Sequence, residues 1–301
     1  MDGWTPLLIA AQNGHVEAIL ALLQAGANKD EATKNGATPL FVAAENGHVE
    51  AIAALLQAGA NKDAAKEDGW TPLHIAAQNG HVEAIVALLQ AGANKDAAEE
   101  DGWAPLHVAA DNGHVETIAA LLQAGANKDA APKTGWTPLH IAAQNGHVEA
   151  IAALLQAGAN KDAAEENGAT PLLIAALNGH VGAIAALLQA GVNKDAAEKT
   201  GATPLYVAAQ NGHLEAIVAL LQAGANKDAA RENGETPLHS AAEKGHVETI
   251  VALLQAGANK DAATKTGAMP LYVAAQNGHL EAIVALLQAG ANKDAAKECT
   301  M

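Results

Sequence analysis

Aromatic side chains are nearly missing from this 301-residue chain: four Trp, two Tyr and one Phe make up 2% of it. A core must then be assembled from Leu, Ile, Val and Ala, and 77 of the residues are Ala. Cysteine occurs once, as Cys299, which excludes a disulfide framework. Arg231 is the only arginine, and 17 Lys and Arg against 33 Asp and Glu leave a net charge of −16. Without clustered basic residues, no nucleic acid and no anionic membrane is expected as a partner. Long apolar runs are absent too, since Gln and Gly interrupt every stretch that approaches the roughly 18 residues of a membrane helix. The opening MDGWTPLLIAAQNGH has no basic n-region, and Cys299 stands third from the end, where a prenylation box needs it fourth. A soluble cytoplasmic protein is expected, with delivery out of the cell left open.

The supply of reactive side chains is equally thin. Ser240 is the only serine and sits in no G-x-S-x-G elbow, so a hydrolase nucleophile has no candidate. His81-Val82-Glu83 has the H-x-E spacing of zinc deaminases, whose cysteine pair a chain with one Cys cannot supply. No G-x-G-x-x-G or GK[ST] loop cradles a phosphate. Gly179-His180-Val181-Gly182 has the outline of an RNA-binding GXXG loop, but Gly182 only replaces the Glu found there in the other eight copies of a repeat. No catalytic residue, cofactor or metal is expected, and the chain reads as non-enzymatic.

What is present is a period. Prolines stand at 6, 39, 72, 105, 138, 171, 204, 237 and 270, always 33 apart, with only Pro132 out of series. The stretch from Pro204 to Ala230 is identical to that from Pro270 to Ala296. Self-similarity at this period means a stacked array rather than the two domains that length alone suggests. One array over residues 1–296 is expected, with repeats at about 1–32, 33–65, 66–98, 99–131, 132–164, 165–197, 198–230, 231–263 and 264–296, and a tail at 297–301.

A single repeat predicts its own elements. Thr71 suits an N-cap and Pro72 the first helical position. Leu73, Ile75, Ala76 and Ala77 then form the inward side of a short helix that Gly80 ends in a left-handed conformation. Val82, Ile85, Val86, Leu88 and Leu89 recur at helical spacing in a second helix, which Gly92 ends. The Asp-Gly ahead of the next proline, or Asn-Gly in other copies, signals a tight hairpin. Neither helix exceeds about three turns, so each repeat depends on its neighbours to bury its apolar side.

The segments TPLHIAA (71–77), NGHVE (79–83) and LLQAGA (88–93) resemble ankyrin repeats, and the likeness covers the whole chain. The resemblance implies an all-α solenoid of helix-turn-helix units with protruding β-hairpin or turn fingers. Finger tips and first helices would line a concave surface that binds other proteins. Two departures stand out. The loop reads Asn94-Lys95-Asp96 where the family usually has Asp-Val-Asn, so its turn bonding is expected to differ. The His of TPLH is Leu8, Phe41, Leu173, Tyr206 or Tyr272 in five repeats.

The thirteen histidines fit structural hydrogen bonds better than metal ligation. Helices stack about 8–10 Å apart, whereas two ligands on one zinc are at most about 4.2 Å apart. Equivalent histidines of successive repeats therefore cannot share an ion, although a pair such as His74 and His81 stays open.

All seven aromatics occupy two positions of the repeat. Trp4, Trp70, Trp103 and Trp136 follow the hairpin glycine, and Phe41, Tyr206 and Tyr272 replace the TPLH histidine. Such an edge suits a binding surface, because aromatic anchors dominate hot spots. The other reading is that each Trp packs over its neighbour's hairpin. Trp70, Trp103 and Trp136 occupy consecutive repeats beside Glu67, Asp68, Glu99, Glu100 and Asp101, with Glu165 and Glu166 one repeat beyond. Rings and carboxylates together suit a protein partner presenting Lys or Arg. At the end of each first helix most repeats carry Gln-Asn; Glu45, Asp111, Leu177 and Glu243-Lys244 are exceptions, and Asp111 and Leu177 join the candidate contacts. The alternatives are a self-associating structural array with weak end-to-end contacts, and an ankyrin segment of a larger protein.

Overall fold

The computed structural model describes residues 3–294, so the tail containing Cys299 lies outside the described residues. Each proline of the 33-residue series opens a short helix and each NGH segment leads into a second one. In chain order these are α1 (Pro6–Gln12), α2 (Val16–Gln24), α3 (Pro39–Glu45), α4 (Val49–Gln57), α5 (Pro72–Gln78), α6 (Val82–Gln90), α7 (Pro105–Asp111), α8 (Val115–Gln123), α9 (Pro138–Asn145), α10 (Val148–Gln156), α11 (Pro171–Leu177), α12 (Val181–Gln189), α13 (Pro204–Asn211), α14 (Leu214–Gln222), α15 (Pro237–Lys244), α16 (Val247–Gln255), α17 (Pro270–Gln276) and α18 (Leu280–Gln288). No strand occurs among the described residues. No helix among them is long and apolar enough to cross a membrane.

Contacts gather into two compact units, Met1–Ala142 with Ala152–Ala159 and Ala143–Ile151 with Asn160–Met301. In the first, α1, α3, α5 and α7 pack in succession and α2, α4, α6 and α8 do the same beside them. In the second, α11, α13, α15 and α17 form one row and α12, α14, α16 and α18 the other.

The first helices are the more deeply enclosed. Along α5, Pro72, Leu73, His74, Ile75, Ala76 and Ala77 are all buried, because α3, α6 and α7 each cover part of it. Thr71 caps this helix in an extended conformation. Only Ala84, Ile85 and Leu88 are buried along α6. Val86, read from its spacing as inward, is 37% exposed: it follows Ile85 by one residue, about 100° further round the helix, and so leaves the buried stripe. Gly80 has φ +69°, and a Cβ there would lie 3.0 Å from the His114 ring, so both backbone and packing demand glycine.

The fingers are tight turns. The Lys66 N–H donates to the Trp70 carbonyl (2.9 Å) and the Gly69 N–H to the Lys66 carbonyl (3.0 Å). Gly69 has φ +84°, while no non-glycine residue among the described residues has positive φ. A two-residue type I′ turn centred on Asp68-Gly69 needs positive φ at both, so the finger is a three-residue loop ending in a glycine bulge. Neighbouring fingers share one backbone bond, from the Glu100 N–H to the Asp68 carbonyl (3.2 Å) and from the Lys199 N–H to the Asn167 carbonyl (2.8 Å).

The Asn-Lys-Asp loops form a second connection. Asn61 Oδ1 accepts the Asp63 N–H (3.1 Å), and Asp63 Oδ1 accepts the Asn94 N–H of the next repeat (2.7 Å). The same bond recurs from Asn226 to Asp195 and from Asn259 to Asp228, each 2.8 Å. The Lys62 methylenes pack against Gly92 across the same step.

Candidate functional site

The TPLH histidines are core residues with both ring nitrogens engaged. His74 is fully buried; its Nδ1 accepts the Thr71 N–H (3.2 Å) and hydroxyl (2.8 Å), and its Nε2 donates to the Trp103 carbonyl (3.0 Å). His107 spans Ala104 and the Ala130 carbonyl, and His239 spans Thr236 and the Ala268 carbonyl. Burial pushes the imidazoles of His74, His107 and His239 below the ordinary histidine value. The NGH histidines reach the opposite way: His81 Nε2 donates to the Glu45 carbonyl and His114 Nε2 to the Gln78 carbonyl, both at 3.0 Å. His74 and His81, the pair left open as ligands, thus bind the following and the preceding repeat. Among the described residues no group of three or more His, Cys, Asp or Glu is arranged to hold a metal.

Trp70, Trp103 and Trp136 are each half-buried. Their rings lie 5.7, 6.1 and 5.9 Å from the rings of His74, His107 and His140, so each indole leans, tilted, against the histidine of the helix that follows it. The acidic candidates divide into two groups. Asp68 Oδ1 accepts the Trp70 N–H (3.1 Å) while Oδ2 pairs with Lys66 (3.1 Å), and Glu99 accepts the Trp103 N–H (2.9 Å). Glu165 is buried, accepting the N–H groups of Asn167 and Ala169. These three carboxylates brace their own fingers. Glu67, Glu100 and Asp101 stay exposed on the turns, and Asp111 is exposed at the end of α7. Leu177, at the end of α11, is 41% exposed.

Two aromatics that composition placed on the edge are inside. Phe41 and Tyr206 are 3% and 2% exposed, taking the slot that His74 fills elsewhere. Lys66 lies over the Phe41 ring at 5.3 Å and Arg231 over the Tyr206 ring at 5.1 Å. Tyr206 donates its hydroxyl hydrogen to Glu235 (3.2 Å) and its oxygen accepts from Arg231 (3.3 Å). A signal for these pairs was available. Each aromatic in the TPLH slot has a basic residue 25 positions on (Lys66, Arg231, and Lys297 after Tyr272), whereas the four histidines have Glu99, Pro132, Glu165 and Thr264 there.

A family model for ankyrin repeats matches residues 1–66, 58–132, 85–165, 126–198, 158–231 and 205–297. No curated protein sequence matches the chain. Among solved structures, the human ASB11 ankyrin repeat domain is 32% identical, with 74% of this chain and 99% of that one covered and a TM-score of 0.67. The ankyrin repeat domain of Bcl-3, a member of the IkappaB protein family, is 31% identical, with 73% and 100% covered and a TM-score of 0.66. With its Pro-to-Pro period, its paired helices and these matches, the chain belongs to the ankyrin-repeat family, a general protein-interaction fold.

Proposed function

We propose that residues 1–296 act as one non-enzymatic cytoplasmic scaffold that binds a partner protein through finger tips and first helices. The partner presents a Lys- or Arg-containing segment to Trp70, Trp103 and Trp136, with Glu67, Glu100 and Asp101 as its counter-charges; Asp68 and Glu99 hold the turns that present them. Asp111 and Leu177 extend the contact along the first helices. The observation that carries this reading is the row of half-exposed indoles beside exposed carboxylates, in a chain of net charge −16. Cation–π contact and charge pairing would act together there. The measurement is affinity for a partner recovered with the intact chain. Trp103→Ala and Glu100→Lys should each weaken it about tenfold or more, as hot-spot residues do. Unchanged affinity in both places the site elsewhere.

A second reading is weak end-to-end self-association, favoured by Ile9 and Leu20 (46% and 43% exposed) in one unit and Leu280 and Val284 (66% and 43%) in the other. A single-chain mass by light scattering across a wide concentration range rejects it.

A further inference from the structure

Most fingers begin with a long or rigid residue: Lys66, Glu99, Pro132, Glu165, Glu198 or Arg231. Two begin with threonine. Thr33 folds back on its own finger, its Oγ1 accepting the Ala37 N–H (3.0 Å), and Thr264 does the same with Ala268 (3.1 Å). Beside each lies a groove in the same register of the repeat, about 330 Å³ next to Thr33 in the first unit and about 480 Å³ next to Thr264 in the second. Each threonine thus gives its groove a short lining residue, where the longer Lys66 and Arg231 reach over the rings of Phe41 and Tyr206.

The groove beside Thr33 has distinctive chemistry. Trp4 forms one wall and is 44% exposed. Four residues on from it stands Leu8 rather than His, so this indole lacks the imidazole neighbour that Trp70, Trp103 and Trp136 each have. Val42 lies at the bottom, 2% exposed. Lys34 belongs to the finger turn and Glu45 to the last turn of α3; both are exposed, and neither is in an ion pair among the described residues. A cation at the finger and a carboxylate at the helix end thus flank an aromatic and aliphatic middle.

We propose that this groove is an anchor site for a partner-protein segment bearing one aromatic or large aliphatic side chain between an acidic and a basic residue. The apolar side chain lies against Trp4 and Val42, the acid faces Lys34, and the Lys or Arg faces Glu45. A wholly basic segment would meet Lys34 and Lys66 in this groove, and a wholly acidic one would meet Glu45 in a chain of net charge −16, so the mixed pattern is the complementary one. The inference rests on the protein-binding reading for its class of partner, but not on the Trp70–Trp136 row.

The test selects random twelve-residue peptides displayed on phage against the whole chain. The enriched peptides are then titrated while the four indole N–H signals are followed by NMR, each assigned by a Trp→Phe variant. The expected peptides carry acid, aromatic or aliphatic, and base in that neighbourhood, and they move the Trp4 signal. Thr33→Lys, which installs the residue used at Lys66, should weaken them about tenfold by filling the groove. Lys34→Glu and Glu45→Lys, both on exposed positions, should each weaken them several-fold. No enrichment, an unmoved Trp4 signal, or equal binding to Thr33→Lys overturns the proposal. Movement confined to Trp70, Trp103 and Trp136 also overturns it while supporting the tryptophan-row reading.

Discussion

At the scale of the residue, the same few side chains act twice, once within a repeat and once toward the next. Gly80 must be left-handed for its own helix end and bare for the His114 ring. Gly80→Ala should therefore cost about 2 kcal/mol or more, since a left-handed alanine alone costs roughly 1–2 kcal/mol; urea denaturation measures it. The buried histidines make stability depend on pH. Their folded pKa values lie below the ordinary value of about 6.5, so above that pH both states are neutral and stability is complete. As pH falls through 6.5 the unfolded chain takes up protons that the folded chain resists, and stability declines. The urea midpoint should drop between pH 7.5 and 5, and His74→Leu, the choice made at Leu8 and Leu173, should make that drop smaller. The role of His74 was legible as structural hydrogen bonding. The burial of Phe41 and Tyr206 was not, because composition places a ring in a slot without saying which way the slot faces.

At the scale of the element, helix ends were readable because proline and glycine fix them physically, one by restricting φ and the other by permitting positive φ. The finger was readable only as a turn. Asp-Gly serves a two-residue loop and a three-residue loop with a glycine bulge alike, and the sign of φ at Asp68 decides between them. The acidic residues of the candidate site were likewise visible as a cluster, whereas their division into turn braces and exposed charges depends on side-chain reach: Glu99 curls back to the Trp103 N–H and Glu100 does not. The Thr33 groove was missed because its signal is a small residue where other fingers have large ones. Packing within the two rows of helices yields two predictions. Ala76 is wholly buried in α5, between α3 and α7, so Ala76→Leu should lower stability by about 1–3 kcal/mol through overpacking. Thr117 is buried in α8 with its hydroxyl lacking any partner, at a position that is Ala in Ala84 and Ala150. Thr117→Ala should raise stability by about 1 kcal/mol, the relief of an unpaired hydroxyl exceeding the loss of one methyl. Thermal denaturation resolves both.

At the scale of the whole molecule, the extensive helix–helix contacts among the described residues of each unit run within a repeat or between adjacent repeats, as in a nearest-neighbour stack. Strain should stay local. In Ala76→Leu, amide hydrogen exchange should quicken in α3 to α7 and remain unchanged in α13 to α18; an equal change in both would contradict nearest-neighbour stability. The single bond that each Asp carboxylate makes to the Asn N–H of the following repeat, as Asp63 does with Asn94, has a further consequence. Excising residues 66–98 would bring Asp63 to Asn127, which offers the same amide to the same oxygen. A gene encoding such a chain can lengthen or shorten by whole modules through unequal recombination and still yield a folded product. The identical stretches Pro204–Ala230 and Pro270–Ala296 stand two modules apart, so the same module serves in two places of the array.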